Sequence, residues 1–191
     1  MAGGMRRYRR TGVLALAILS AALPGHGEAV KKSSPPKHAS ATSPTKLLGT
    51  VDAWSAYVYR EHSGPVCYLA GNPKKSEPAN AKRKQPTMMV THRPAENVAN
   101  VVSFVEGAAL KEGSDASLDV DGTKFDLFTK TDTAWSRTSD LDKTIVEAMA
   151  KAKQAVFKAT PQKGPATTDT YPLAGFARTL ALIDKACGIK R

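Results

Sequence analysis

Residues 117–129 read Ser-Leu-Asp-Val-Asp-Gly-Thr-Lys-Phe-Asp-Leu-Phe-Thr, and this stretch decides the class of fold. Polar and apolar residues alternate on each side of Asp121 and Gly122. An Asp-Gly pair readily adopts the positive φ angles of a tight primed turn, which suits two antiparallel strands. The pattern therefore predicts a β-hairpin of residues 117–120 and 124–129.

Five further segments have the composition or the alternation that is typical of strands. They are residues 51–60, 65–70, 87–91, 98–105 and 155–159. The first two are separated by four residues, so we expect a second hairpin there. These segments predict a mainly β domain built on antiparallel pairs.

Two helices are predicted late in the chain. Ser139 is placed to cap a helix that begins at Asp140, and the acidic residues of its first turn favour the helix dipole. A second helix is expected from about Pro172, with an apolar stripe at spacings of three and four. That stripe consists of Leu173, Phe176, Leu180, Ile183 and Cys187. We therefore expect an antiparallel β-sandwich or barrel-like core with two helices, the carboxyl-terminal one packed on the sheet.

The first 29 residues have the layout of a secretory signal peptide. Four arginines lie within residues 6–10, residues 13–23 are apolar, and small residues follow. An apolar helix of about 11 residues spans roughly 16 Å, half of a ~30 Å hydrocarbon core, so we expect no transmembrane segment in the mature chain. Cleavage after Gly27 and cleavage after Ala29 both fit. Ordinary export is favoured over the twin-arginine route, because nothing beyond the arginine pair supports the latter.

The remaining chain divides into a linker and a domain. Residues 30–46 contain four lysines, no acidic residue and little apolar surface, which predicts a disordered basic linker. Residues 47–191 have the size of a single domain with one core. Within it, residues 71–86 are predicted to form a long polar loop.

Positive charge is the main compositional feature. The whole chain has a formal charge of +11, and without residues 1–29 it keeps 24 basic against 16 acidic residues, a charge of +8. A basic run in the 71–86 loop accounts for the excess within residues 47–191. The run consists of Lys74, Lys75, Lys82, Arg83 and Lys84. It suits contact with an anionic envelope surface, such as lipid head groups or lipopolysaccharide, and a merely solvated loop is the alternative.

The two cysteines, Cys67 and Cys187, both lie in the predicted domain. Because an exported protein meets an oxidising compartment, one intramolecular disulfide is the economical interpretation. It would join a predicted core strand to the last helix. Two buried free thiols are the alternative, since cysteine also packs well as a small apolar residue.

Several short blocks occur in a distinctive order. Trp54 and Cys67 are followed by Arg-Pro-Ala-Glu-Asn at 93–97, and Thr-Thr-Asp-Thr-Tyr stands at 167–171 before Cys187. Between the two longer blocks lie Leu-Lys-Glu-Gly-Ser-Asp-Ala at 110–116, Asp-Gly-Thr-Lys-Phe at 121–125 and Ala-Trp at 134–135. Together they strongly resemble the invasion-associated locus B family of small exported proteins from Gram-negative bacteria, over residues 49–187. Pro172 departs from the family pattern, in which a serine is expected.

The resemblance implies a protein of the periplasm or outer envelope, with no described catalytic residue and no cofactor. The family is named after members linked to host-cell invasion. Likeness of fold does not carry that role to this chain.

Catalytic and metal chemistry find little support in the sequence. Outside the signal peptide and the linker the histidines are His62 and His92, and the chain contains no Gly-x-Ser-x-Gly nucleophile motif. Two histidines and two distant cysteines lack the ligand spacing of a zinc site. The acidic residues around Gly122 fit a hairpin better than a calcium loop, because Phe128 occupies the position of the bidentate acid. We therefore predict no catalytic, metal or cofactor residues.

We expect structural roles for two further polar blocks. In the 93–97 block we expect an internal ion pair that holds a loop. Asp169 and Thr170 are expected to cap the last helix. The basic run has no interleaved aromatic residues, so nucleic acid is not an expected partner.

The sequence therefore predicts a non-enzymatic periplasmic or envelope-associated binding or accessory protein whose ligand or protein partner is unknown. A secreted or surface factor that promotes adhesion to host cells or invasion is one alternative. A small hydrolase with an unrecognised site is the other.

Overall fold

A computed structural model describes residues 43–79 and 81–191, which lie in one compact unit. The described residues form an antiparallel sheet of eleven strands, two α-helices and one short 3-10 helix, Pro94–Glu96. The strands are β1 Lys46–Val51, β2 Trp54–Glu61, β3 Gly64–Gly71, β4 Lys75–Glu77, β5 Thr87–Arg93, β6 Val98–Val105, β7 Asp115–Val120, β8 Thr123–Lys130, β9 Thr133–Trp135, β10 Gln154–Ala159 and β11 Thr167–Pro172. The helices are α1 Ser139–Met149 and α2 Phe176–Cys187.

The strand order is β1-β2-β3-β5-β6-β9-β8-β7-β10-β11-β4. We call β1, β2, β3, β5, β6 and β9 the first half-sheet, and the other five strands the second half-sheet. The sheet curls so that the two halves face each other. Phe104 of β6 stacks on Phe157 of β10 with ring centroids 4.5 Å apart, and it meets Tyr171 of β11 edge-on at 5.8 Å. The sheet does not close into a barrel, since β1 and β4 are its two edges.

Helix α2 packs on the inner face of the first half-sheet, and helix α1 packs against β6. Trp54 of β2 contacts Phe176 of α2 edge-on at 5.0 Å. The N–H of Val102 in β6 donates to a carboxylate oxygen of Asp142 in α1 at 2.8 Å. In the described part of the chain neither helix combines the length and the apolarity that spanning a membrane requires.

The disulfide between Cys67 and Cys187 is present in the structure. Cys67 is buried in β3, Cys187 ends α2, and their Cα atoms are 6.0 Å apart. The bond fixes the last turn of α2 to the inner face of the first half-sheet. The mainly β antiparallel fold with two helices, the carboxyl-terminal one packed on the sheet, is also confirmed.

Several local predictions were wrong. The predicted loop 71–86 contains the edge strand β4, and the last helix begins at Phe176 because residues 167–172 form β11. Asp169 therefore lies within a strand and does not cap the helix, and no side chain caps α2. For α1 the cap is Thr138, whose hydroxyl accepts the N–H of Leu141. The predictions for residues 1–29 and for most of the linker fall outside the described residues, and Lys46, at the predicted end of the linker, starts β1.

The period of two in a strand gives each half-sheet an inner and an outer face. In β5, for example, Met88, Val90 and His92 are buried on the inner side, and Met89 and Thr91 are half-buried on the outer side. The apolar residues that point outward from the first half-sheet form the candidate site.

Candidate functional site

A groove crosses the outer face of the first half-sheet, with a volume of about 440 Å³. We call it the outer groove. Two cross-strand rows form its floor: Tyr68, Thr91 and Val101, and next to them Met89, Ser103 and Trp135. Tyr59 and Arg93 border one side of these rows, and Val105 and Thr133 border the other. Helix α2 lies on the opposite face, and neither helix contributes a residue to the lining of the groove.

Aromatic rings stand at both ends of the outer groove. Tyr57 and Tyr68 are stacked, with centroids 5.0 Å apart and planes 20° from parallel, and Tyr59 meets Tyr68 edge-on at 6.2 Å. At the other end Trp135 pairs across the strands with Phe128 of β8. These rings are half-buried, so each keeps an accessible apolar edge or face.

The charged groups at the groove neutralise each other. Both carboxylate oxygens of Glu61 accept from the Arg93 guanidinium at 2.7 Å, and the Tyr59 hydroxyl donates to Glu61 at 3.1 Å. The hydrogen bonds from Arg93 hold the pKa of Glu61 below its usual value, and they hold the pKa of Arg93 above its own. The pair is therefore ionised at neutral pH and has no net charge.

This ion pair corrects the prediction for the 93–97 block. Arg93 binds Glu61 of β2, outside the block, whereas Glu96 is exposed in the short 3-10 helix. The chain turns after that helix at Asn97, which has a positive φ of 55°.

The outer face of the second half-sheet is different. Its outward positions carry charges of both signs and belong to an ordinary solvated surface. They include Lys75, Glu77, Lys124, Asp126 and Lys158, all exposed. The two outer faces of one continuous sheet thus differ in character, and within residues 43–79 and 81–191 neither helix lies over the apolar groove. Leu47 of β1, opposite Tyr57, extends this apolar face and is 53% exposed.

The predicted basic run divides into two groups in the structure. Lys74, Lys75, Lys82 and Lys84 are exposed, and Lys75 pairs with Glu77 at 2.7 Å. Arg83 does not join this surface, because its side chain is only 5% exposed and points into the domain. The composition of the run could not reveal the difference.

Arg83 is the centre of a buried ionic cluster. Its guanidinium donates to both oxygens of Asp169, at 2.6 and 2.8 Å, and to Glu106 at 2.5 Å. Thr167 also donates to Glu106, and Ser76 of β4 donates to Asp169. Burial raises the pKa of Glu106, against the hydrogen bond from Thr167 and the charge of Arg83, which lower it. The cluster thereby fastens the basic loop to the ends of β6 and β11.

A second cavity, of about 660 Å³, lies beside this cluster. Half of its lining residues are prolines or alanines, among them Ala108 and Pro161, and Lys82 and Lys163 also line it. The Arg83 side chain that reaches it is already paired with two carboxylates.

The two histidines of the domain differ in exposure. His62 is exposed in the turn between β2 and β3, whereas His92 is fully buried. One ring nitrogen of His92, Nδ1, accepts the N–H of Asn100 at 3.0 Å, so Nε2 carries the proton and donates to Asp184 at 3.0 Å. Hydrogen bonds from His92 and Arg191 hold the pKa of Asp184 below its usual value although burial raises it. Both ring nitrogens of His92 are therefore engaged: Nε2 holds α2 to the sheet, and Nδ1 joins β5 to β6.

The acidic hairpin also has a structural role. The carboxylate of Asp119 accepts the N–H of Gly122, and that of Asp121 accepts the N–H groups of Lys153 and Gln154. Within residues 43–79 and 81–191, no group of three or more His, Cys, Asp or Glu side chains is arranged to hold a metal ion.

The outer groove was not predicted from the sequence, although a signal for it is present. In β5 and β6 apolar residues occur at both even and odd positions, as Met88 with Met89 and Val101 with Val102. Such runs predict a strand that is apolar on both faces. The sequence does not show whether another part of the protein packs on the outer face of these strands.

Comparison with known proteins agrees with the fold. The crystal structure of invasion associated protein B from Bartonella henselae is similar, with a TM-score of 0.52 and 18% identity over 75% of this chain and 98% of that one. This likeness shows a shared fold. None of the curated proteins compared with the chain matches it.

A family model gives the assignment. The model of the invasion associated locus B (IalB) protein matches residues 54–184, which run from the first residue of β2 into α2. The match includes Cys67, the whole outer groove and all three charged members of the Arg83 cluster. The chain therefore belongs to the invasion associated locus B family.

Proposed function

We propose that the protein is an exported, non-enzymatic binding protein of the cell envelope, and that it binds its ligand in the outer groove. The observation that carries this proposal is the contrast between the two outer faces. A charged face needs no partner in water, whereas an uncovered row of aromatic and aliphatic side chains is typical of a binding surface.

The chemistry of the described residues supports a binding role over a catalytic one. His92 and Asp184 resemble the histidine and acid of a catalytic triad. However, both nitrogens of the imidazole are already hydrogen-bonded, and the His92 side chain is fully buried. Cys67 and Cys187 are joined in the disulfide, so neither provides a free thiol as a nucleophile. Moreover, the family is not a known enzyme family.

Export is supported by the signal-peptide layout of residues 1–29 and by the disulfide, which is characteristic of oxidising compartments. The test is a fusion of residues 1–29 to a reporter that is active only outside the cytoplasm, with a fusion to residues 47–191 as the control. The first fusion should be active and the second inactive. Full-length protein in the cytosol would refute export.

Fractionation of the native protein separates the proposal from the adhesion alternative. Retention in the periplasm supports an envelope-binding protein. Protein on the outer surface or in the medium would favour a factor that contacts host cells.

A second contact, with anionic lipid or lipopolysaccharide, is proposed for the exposed lysines. Lys74, Lys75, Lys82 and Lys84 lie along one stretch of chain, and Lys163 lines the second cavity together with Lys82. Exposed lysines attract anionic surfaces over about a Debye length, so this contact should be weak and sensitive to salt.

A further inference from the structure

We propose that the outer groove binds an uncharged oligosaccharide whose sugars carry acetamido groups. This proposal rests on the proposed function, because it names the class of ligand for the same groove. Four properties of the groove lead to it: its lack of net charge, its rings, its hydroxyl groups and its aliphatic floor.

The lack of net charge excludes ligands that are recognised through ionic groups. Arg93 and Glu61 form a pair with two hydrogen bonds, so neither is available as a counter-ion. A phosphate or carboxylate would lose its hydration in the groove without gaining an unpaired cation. A neutral ligand incurs no such cost.

The aromatic rings suit the apolar C–H faces of sugar rings. Tyr68 and Trp135 belong to neighbouring rows of the floor, and both are half-buried. Tyr57 stacks against Tyr68 and limits its movement. Rigid amphipathic rings of this kind provide a large contact area at a small cost in conformational entropy.

The hydroxyl groups suit a ligand that both donates and accepts hydrogen bonds. Five of them line the groove, on Tyr59, Tyr68, Thr91, Ser103 and Thr133. The Tyr59 hydroxyl already donates to Glu61 and that of Thr133 to Asp132, so these two offer acceptor sites, whereas the hydroxyls of Thr91 and Ser103 offer a donor as well. Burial raises the pKa of Tyr59 and of Tyr68, so both phenols remain protonated and neutral.

The aliphatic side chains favour acetamido sugars over sugars with hydroxyl groups alone. Met89, Val101 and Val105 form an apolar patch on the floor beside Ser103. An acetamido group presents a methyl for such a patch and a carbonyl for a neighbouring hydroxyl. The groove crosses five strands, which at ~4.8 Å per interval is about 19 Å, a span suited to several sugar units.

Titration of the mature protein with chitotetraose, a neutral tetramer of N-acetylglucosamine, tests the proposal. Trp135 lines the groove and Trp54 is buried in the core, so a change in fluorescence reports on Trp135. We expect saturable binding that salt leaves unchanged, and weaker binding of cellotetraose, which lacks the acetamido groups. Calorimetry provides a second readout for variants without Trp135.

Matched variants locate the ligand. Trp135→Ala should weaken binding roughly tenfold or more, which is ~1.4 kcal/mol or more. Val101→Ala should weaken it severalfold. Val156→Ala, the same change at a half-buried outward position of the second half-sheet, should leave it unchanged. Circular dichroism and thermal unfolding confirm that each variant is folded.

Other results would overturn the proposal. If chitotetraose at millimolar concentration does not bind, or binds equally to the Trp135→Ala variant, the ligand class is wrong. The proposed function survives such a failure if periplasmic extract still shifts the emission of Trp135 in the intact protein and loses that effect with Val101→Ala. A dimer that dissociates in the Trp135→Ala variant would identify the groove as an interface between copies and refute both.

Discussion

Arg83 and Asp169, 86 positions apart in the chain, form a buried ion pair with two hydrogen bonds of 2.6 and 2.8 Å. The pair joins a loop that looks solvent-exposed from its composition to the interior strand β11. Because of this pair, Arg83 stabilises the fold, whereas the lysines of the same basic run lie on the surface.

Asp169→Asn should strongly destabilise the protein. The substitution leaves the Arg83 guanidinium buried without the carboxylate that accepts two of its hydrogen bonds, and losing one partner of a buried pair typically costs about 3 to 5 kcal/mol. Urea denaturation measures the free energy of unfolding. Glu77→Gln, which breaks the exposed pair with Lys75, is the control and should cost less than about 1 kcal/mol. Equal losses in the two variants would contradict the assigned role of the cluster.

The sequence predicted the parts of the fold that depend on local pattern. The hairpin around Asp121 and Gly122, helix α1 and the Cys67–Cys187 pairing all follow from turn chemistry, periodicity and compartment. Strand β11 was missed because Asp169 is polar yet faces inward. Hydrophobic periodicity cannot detect a strand whose inward residue is a carboxylate paired with a distant arginine.

The candidate site could be predicted less well than the fold. Tyr57, Tyr68 and Trp135 come from three different strands, and their proximity depends on the strand order of the curled sheet. Apolar residues on both faces of β5 and β6 indicate two packed layers. The groove is open to a ligand because neither of the two helices packs on it, which the sequence does not determine.

Glu61 should make stability depend on pH in the acid range. The Arg93 hydrogen bonds hold the pKa of Glu61 in the folded protein below its usual value of 4.5. The ionised pair therefore contributes stability above that value, and the contribution is lost as the pH falls through the lowered pKa. The difference in free energy of unfolding between the native protein and Glu61→Gln should thus shrink with acidification. A difference that does not change with pH would refute the assignment.

Arg93→Gln is the complementary variant. It removes the donor and leaves Glu61 in place, so the pKa of Glu61 should rise towards its usual value. Because stability depends on pH through the difference between the folded and the unfolded pKa, the acid-dependent part of the stability should then shrink relative to the native protein. The pKa is measured by NMR titration of the Glu61 carboxyl carbon.

Loss of the disulfide should destabilise the domain and loosen α2 first. The bond closes a loop between residues 120 positions apart, for which chain entropy predicts roughly 4 to 5 kcal/mol. In Cys67→Ala/Cys187→Ala, hydrogen exchange should accelerate in α2 before it does in β5 and β6. Mass spectrometry of the non-reduced periplasmic protein supplies the control. Detection of two free thiols in that protein would show that the disulfide does not form in the cell.

The exposed lysines should govern binding to anionic vesicles. Replacing Lys74, Lys75, Lys82 and Lys84 with Gln should weaken binding to phosphatidylglycerol vesicles, and raising salt should weaken that of the native protein. The control replaces four exposed lysines elsewhere: Lys124, Lys130, Lys143 and Lys151. Arg83 is kept in both, since its loss would disturb the fold. If the two variants lose vesicle binding equally, the contact depends on the net charge of the protein and not on these four lysines.

The central claim is that the outer groove of the first half-sheet is the binding surface. An NMR map of amide shifts during titration with chitotetraose tests it most directly. We predict that the perturbed amides cluster around Tyr68, Thr91, Val101, Ser103 and Trp135, on four adjacent strands, while those of β7 and β10 do not move. Perturbations that cluster instead around the cavity beside Arg83, or that are absent from the sheet altogether, would contradict the account.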